Sequence, residues 1–213
     1  MSGEVPHANP LRGRFNSWLL AKFEDDFHEE VGPRKADHIG SLQGTIVEIG
    51  AGNGVNFRYY ARGTRLVAYE PNPYMHDRLH ESARKHGLDL ELRAVSAEKL
   101  AFPDDSVDAA VCTLVLCTVA DPAGLISEVR RVLRPGGRFF FIEHVAADAG
   151  TFLRTLQGLF HRPWHFIFEG CHTNRETAVM LEAGGFSRVE IERFTSEKMP
   201  PLVVPQIAGV AIK

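Results

Sequence analysis

Glu48, Gly50, Gly52, Gly54 and, further on, Glu70 are the residues whose types and spacing most narrowly limit the chemistry of this chain. The first four fall in Thr45-Ile46-Val47-Glu48-Ile49-Gly50-Ala51-Gly52-Asn53-Gly54, a short apolar run opening onto three alternate glycines. Without Cβ atoms such glycines let the backbone turn tightly and let a ligand come to van der Waals distance. A helix predicted to begin after Gly54 would add free N–H groups. A dinucleotide fingerprint is spaced G-x-G-x-x-G and receives a pyrophosphate. Here the spacing is G-x-G-x-G, and a carboxylate stands two positions before the first glycine, which repels a pyrophosphate and favours a cationic ligand. The sulfonium and α-ammonium groups of S-adenosylmethionine meet that requirement. A plain tight turn after a core strand is the simpler alternative.

Other residues with reactive side chains follow. His144 comes after Glu143 at the end of an apolar run, where doubly wound sheets place their ligands, and an imidazole there would serve as a base. In an extended run Glu143 and His144 point to opposite faces, so only one reaches a substrate. Cys117 lies in an apolar segment, where a cysteine acts as a small buried hydrophobe lining a pocket. His161, His165 and Glu169 recur at steps of four, the spacing of a metal triad on one helical face, but Pro163 weakens that helix. The three cysteines, Cys112, Cys117 and Cys171, suit neither a disulfide framework nor a four-ligand zinc site, so no metal is expected. Phe160, Trp164, His165, Phe166 and Phe168 read as an apolar wall over an acceptor pocket, within an irregular segment spanning 150–170.

These groups need a frame. With 213 residues and 44% hydrophobic content, the chain can bury one substantial core. A net charge of −3 provides no broad field for nucleic acid, so a small or apolar partner is expected. The absence of an apolar run of about 18 residues and of a signal-peptide pattern predicts a soluble, cytoplasmic protein. Phe15, Trp18, Leu19, Phe23 and Phe27 are spaced as one face of a helix, giving an N-terminal cap over residues 1–43. Arg12, Arg14 and Lys22 beside it leave open a peripheral membrane contact through residues 10–30. After Gly44, strands are predicted over 45–49, 65–69, 90–94, 107–113, 138–143, 188–194 and about 207–212. Helices are predicted after Gly54 and over 74–86, 122–133 and 174–183, with Arg134-Pro135-Gly136-Gly137 as a stop. That alternation implies an α/β domain, residues 44–213, with a mostly parallel sheet between helices and a closing antiparallel strand pair at its edge.

Val47 to Gly54, Glu70, Asp108 and Leu133-Arg134-Pro135-Gly136-Gly137 resemble the class I S-adenosylmethionine-dependent methyltransferases. Within them, Val111 to Cys117, Phe141 to Ala147, Pro163-Trp164-His165 and Gly170-Cys171 are similar to the alkyl-thiol S-methyltransferases of animals. The resemblance implies a doubly wound, Rossmann-like, seven-stranded sheet and S-adenosylmethionine as cofactor. It implies Glu70 and Pro71 at the ribose, Ser96, Ala97 and Glu98 at the adenine, and Thr113 and Leu114 at the methionine. His144 becomes the candidate catalytic base, and Cys117, Trp164, His165 and Phe168 the walls of the acceptor pocket. The implied reaction is in-line attack of a small apolar thiol, or hydrogen sulfide, on the sulfonium methyl, which needs alignment in a dry site and no metal. Glu70 replaces the Asp usual in the family, and Cys171 and Arg175 follow its pattern without a physical role being legible. The animal relatives carry a hydrophobic N-terminal anchor, for which no apolar run stands here. A methyltransferase for lipids or quinones, acting by N-, C- or O-methylation, and a non-catalytic cofactor-binding module remain the alternatives.

Overall fold

The computed structural model describes residues 9–213, apart from the side chains at positions 20, 23, 24 and 26. The chain runs α1 (Pro10–Ile39), β1 (Ile46–Ile49), β2 (Arg65–Tyr69), α2 (His76–His86), β3 (Asp89–Arg93), β4 (Val107–Thr113), α3 (Pro122–Val132), β5 (Leu133–His144), α4 (Phe152–Ile167), α5 (Thr177–Glu182), β6 (Arg188–Thr195) and β7 (Pro205–Ile212). The strands form one sheet in the order β3-β2-β1-β4-β5-β7-β6. The first five are parallel, and β7 enters antiparallel between β5 and β6. Two antiparallel partners leave β6 as the edge, as the closing pair predicted. Because β1 lies between β2 and β4, the order reverses at β1/β4, and the carboxyl ends of those strands form the crevice where such sheets bind ligands.

The central strands are apolar on both faces, as a sheet covered on two sides requires. Phe139, Phe140, Phe141 and Ile142 of β5 are all buried. One face packs Val47, Val67 and Phe139 under Leu125, Ile126 and Val129 of α3 and Ala178 and Leu181 of α5. The other packs Ile46, Leu66 and Phe140 under Val31 and Ile39 of α1 and Leu79 and Ala83 of α2. α2 ends where Gly87 takes φ 68 in the left-handed region, closing the helix as its position predicted.

Four expectations are corrected. No α-helix follows Gly54; the chain makes only a 3-10 turn over Phe57–Tyr59, so no helix dipole points at the glycine loop. Residues 134–137 are not a loop but part of β5, where a register shift opposite Val107–Ala109 absorbs the Pro-Gly-Gly. Residues 150–170 are mostly helical: Thr151 Oγ1 caps α4 at Arg154 N, and the helix continues through Pro163. Its single fully buried side chain is Gln157, which bonds to the backbone of Val145, Ala147 and Leu202. Lastly, the aromatic face of α1 does not turn inward along its whole length: Phe15 is 40% and Trp18 51% exposed, while Phe27 packs on the core. Phe23 of that face lies outside the described side chains.

The face that docks instead is Gly13, Asn16 and Ser17. A Cβ on Gly13 would meet the Tyr74 ring at 2.8 Å, so the helix can come this close only with glycine there. Asn72 Nδ2 donates to Gly13 O, Asn53 Nδ2 to Ser17 O, and Ser17 Oγ to Tyr74 O. A polar seam thus ties the first half of α1 to the glycine loop and to the turn after β2.

Candidate active site

The glycine loop joins β1 to the 3-10 turn, with Gly50, Gly52 and Gly54 all at positive φ. The glycines do different jobs. A Cβ on Gly50 would stand 2.3 Å from Val115 Cγ2, so this glycine lets the loop touch the turn after β4. Among the described residues beyond its chain neighbours, a Cβ on Gly52 would meet only Met75 Sδ, at an ordinary contact distance of 3.8 Å, so there is room beside this glycine. Beside it, Glu70 Oε2 accepts from Gly52 N at 2.8 Å and Oε1 from Asn72 N at 2.7 Å. The carboxylate at the end of β2 is therefore held in place by the loop it adjoins. Pro71 follows it in the turn.

Glu48 lies under this loop, not on it. It is buried, with Oε1 accepting from Asn56 Nδ2 at 2.9 Å and Oε2 from the Tyr60 hydroxyl at 2.7 Å. Burial drives its pKa up to about 7, against those two bonds and the field of Lys35, which pull it down. Asn56 Nδ2 also donates to Thr113 Oγ1 at 3.0 Å, linking the acid of β1 to the end of β4.

At that end the backbone is strained: Leu114 takes φ 59, an uncommon conformation for a leucine. Glu143 of β5 holds the turn that follows. Its fully buried carboxylate accepts from Val115 N and Leu116 N at 2.8 Å and from Cys117 N at 3.2 Å. Arg175 closes the other side of the turn, Nη1 donating to the Leu116 and Val119 carbonyls at 2.6 and 2.7 Å. An acid in an apolar strand needs such partners when buried, and that was the signal available in Phe141-Ile142-Glu143. Asn56, Tyr60 and Asn72 gave no comparable signal, because nothing in their local spacing says what they reach.

His144, the neighbour of Glu143 on the opposite face, points to Cys171, with Nε2 3.0 Å from its sulfur. Cys171 Sγ also receives Trp164 Nε1–H at 3.2 Å and lies 3.9 Å from Cys117 Sγ. The Cys117 hydrogen bond foremost, with those of His144 and Trp164, lowers the Cys171 thiol pKa against burial, and the same contact with burial raises that of Cys117.

The other residues singled out in the sequence are spread around this centre. Ser96, Ala97 and Glu98 lie in the loop after β3, with Ala97 buried and Glu98 exposed. Phe168 packs on Trp164 at 4.1 Å between ring centroids. His165 is exposed and meets His172 edge-on, and His161 stacks near both. Glu169, at φ 48, lies beyond the end of α4, and His172 joins His161 and His165 in the cluster. The open hollow lined by Ser41, Asp108, Arg134 and Arg138 lies at the opposite, amino ends of the strands, away from the glycine loop.

Residues 47–141 match the family model for a methyltransferase domain. Human thiol S-methyltransferase TMT1A is 35% identical over 207 residues, covering 92% of this chain and 85% of the human protein. A phosphatidylethanolamine N-methyltransferase of Cereibacter sphaeroides is 31% identical over 139 residues, covering 64% of this chain and 68% of its own. Geranyl diphosphate C-methyltransferase of Streptomyces coelicolor, solved with S-adenosyl-L-homocysteine, shares the fold at a TM-score of 0.63 and 16% identity, over 83% of this chain and 74% of that one. With the glycine loop and the acid after β2 at the switch point of a seven-stranded sheet, the protein is a class I S-adenosylmethionine-dependent methyltransferase. Within that class the chain belongs to the family of the thiol S-methyltransferases.

Proposed function

We propose that this protein methylates small apolar thiols, with S-adenosylmethionine bound across the carboxyl ends of β1, β2 and β4. The observation that carries the reading is the convergence of Gly52, Glu70 and the Thr113–Leu114 turn at the switch point, in a chain that matches a human thiol S-methyltransferase over 92% of its length. Glu70 and Pro71 hold the ribose, Ser96, Ala97 and Glu98 the adenine, and Thr113 and Leu114 the methionine. Glu48 is the buried acid beneath Gly50, Gly52 and Gly54, acting on the cationic cofactor through the loop and not by contact.

The methyl donor is already activated, so the protein's task is to align an acceptor thiolate with the sulfonium methyl where water is excluded. Sulfur attacks in line, the methyl–sulfonium bond breaks, and its electron pair stays on the departing thioether. Cys117, Trp164, His165 and Phe168 form the acceptor side of this space. His144 accepts the thiol proton in this reading by exchanging its Cys171 contact for the substrate. Labelled cofactor and a panel of thiol, amine, phenol, quinone and lipid acceptors test the assignment: alkyl thiols should be methylated. The proposal fails if they are not while another class is converted.

A lipid acceptor is the second reading, favoured by one observation. Phe15 and Trp18 on α1 lie exposed on the helix whose Arg12 and Asn16 side chains bond to the Phe166 and Ile167 carbonyls at the end of α4, where Phe166 is 65% exposed. That apolar strip, with Arg12, Arg14 and Lys22 beside it, suits peripheral contact with a membrane by a cytoplasmic protein.

A further inference from the structure

Cys117, His144 and Cys171 come from three separate stretches of chain: the turn after β4, the last residue of β5 and the loop after α4. All three are buried, at 2%, 2% and 8% exposure. Their ligand atoms form a compact triangle, with His144 Nε2 3.0 Å from Cys171 Sγ, Cys171 Sγ 3.9 Å from Cys117 Sγ, and every pair within 4.8 Å. The centre of such a triangle lies about 2.0–2.4 Å from all three atoms, which is where Zn–N of about 2.0–2.1 Å and Zn–S of about 2.3 Å would put an ion. We propose that these side chains form a Cys2His site for a thiophilic divalent cation of the Zn2+ class.

The donor set is soft, which selects zinc-like ions over magnesium or calcium. Two thiolates neutralise the dication, and any proton still on the sulfurs leaves to solvent on binding. The scaffold is in place before the ion arrives. Glu143 fixes Cys117 through its backbone N–H, and Trp164 Nε1–H orients the Cys171 sulfur, as outer partners do in built metal sites. Among the described residues His144 Nδ1 has no hydrogen-bond partner, and Nε2 is the nitrogen turned toward the sulfurs. Three protein ligands leave a fourth position of a tetrahedral ion open. The sequence reading expected no metal because the cysteines are unevenly placed along the chain. The fold cancels that objection by bringing two of them together with a histidine. The site does not depend on which acceptor is used, but an ion held by His144 Nε2 would withdraw that nitrogen from the role of base, so the two roles exclude each other in the metal-loaded protein.

The full chain, kept reduced with a phosphine and stripped of metal, is titrated with Cd2+ while the sulfur-to-metal charge-transfer band is followed in the ultraviolet, and Zn2+ is then used to displace it. One equivalent should saturate the band, and a hundredfold excess of Zn2+ over its Kd should raise Tm by about 5–10 °C. Cys117→Ser and Cys171→Ser should each weaken binding by more than the about 10–100-fold cost of losing an outer partner, whereas His161→Ala with His165→Ala should leave the band intact. Absence of a charge-transfer band in the wild-type chain at stoichiometric Cd2+ would overturn the proposal without recourse to any variant. So would stoichiometric binding that survives loss of both cysteines, which would point to the surface histidines.

Discussion

Glu48→Gln should make the ligand-free protein more stable at alkaline pH and remove a distinct part of its pH dependence. The folded state holds the Glu48 proton more tightly than the unfolded chain does, because burial lifts its pKa from 4.5 to about 7. For an acid shifted upward, the contribution to stability is complete below the unfolded value and is lost as pH rises through the folded one. A shift of this size corresponds to about 3 kcal/mol lost between pH 4 and pH 8, or about 6–12 °C in Tm for a chain of this length. Glutamine keeps an oxygen for Asn56 and carries no charge to bury, but it gives up the neutral bond between Tyr60 and the protonated acid, about 0.5–1.5 kcal/mol. The variant should therefore gain about 1.5–2.5 kcal/mol at pH 8 and fall level with or below the wild type near pH 5. Differential scanning calorimetry of both proteins from pH 5 to pH 8 reads the crossing. If the two curves stay parallel, Glu48 does not titrate in the fold and the account of its burial is wrong.

Glu70→Ala should weaken S-adenosylmethionine binding by about 1.5–3 kcal/mol, measured by titration calorimetry; unchanged affinity would remove Glu70 from the ribose. Gly50→Ala and Gly52→Ala should part ways. The first drives a methyl into Val115 at a left-handed φ and should cost about 2–5 kcal/mol of stability. The second meets only Met75 Sδ, at an ordinary contact distance of 3.8 Å, so it should cost about 1–2 kcal/mol in stability while cofactor affinity falls at least about tenfold; equal losses of Tm would refute the distinction. His144→Ala should lower the maximal rate most at low pH with cofactor affinity little changed, and an unaltered pH–rate profile would exclude it as the base. Anionic vesicles should float with the wild-type protein and lose it in Phe15→Ala with Trp18→Ala; no association of the wild type would dismiss the membrane contact.

The sheet was legible because its strands are short apolar runs set off by glycine and proline, and Val107–Thr113 falls where its run of Val, Ala and Cys places it. The glycines and Glu70 were legible for a related reason: φ values and a strand-end acid are local properties. What failed was what local pattern cannot encode. Pro-Gly-Gly at 135–137 reads as a break, yet β5 carries it as a bulge opposite Val107–Ala109 of β4. Pro163 reads as a helix breaker, yet Gln157 and the cap at Thr151 hold α4 together around it. The pairing of Cys117 with Cys171 spans 54 positions and depends on where α4 ends. The aromatic periodicity of α1 was real, but Gly13 and Ser17 fit more closely against the turn after β2, so the helix rolled its rings outward.

The seam between α1 and the glycine loop differs in kind from the packing farther along the same helix. Its contacts are amide and hydroxyl bonds from Asn72, Asn53 and Ser17, which water can replace nearly one for one when the surfaces part. Farther along the same helix, Val31 and Ile39 are wholly buried in the core, and exposing them carries a hydrophobic cost of about 1.5–3 kcal/mol per side chain. The helix therefore has a rear fixed by burial and a front fixed by hydrogen bonds, and it is the hydrogen-bonded front that stands beside Gly52 and Glu70.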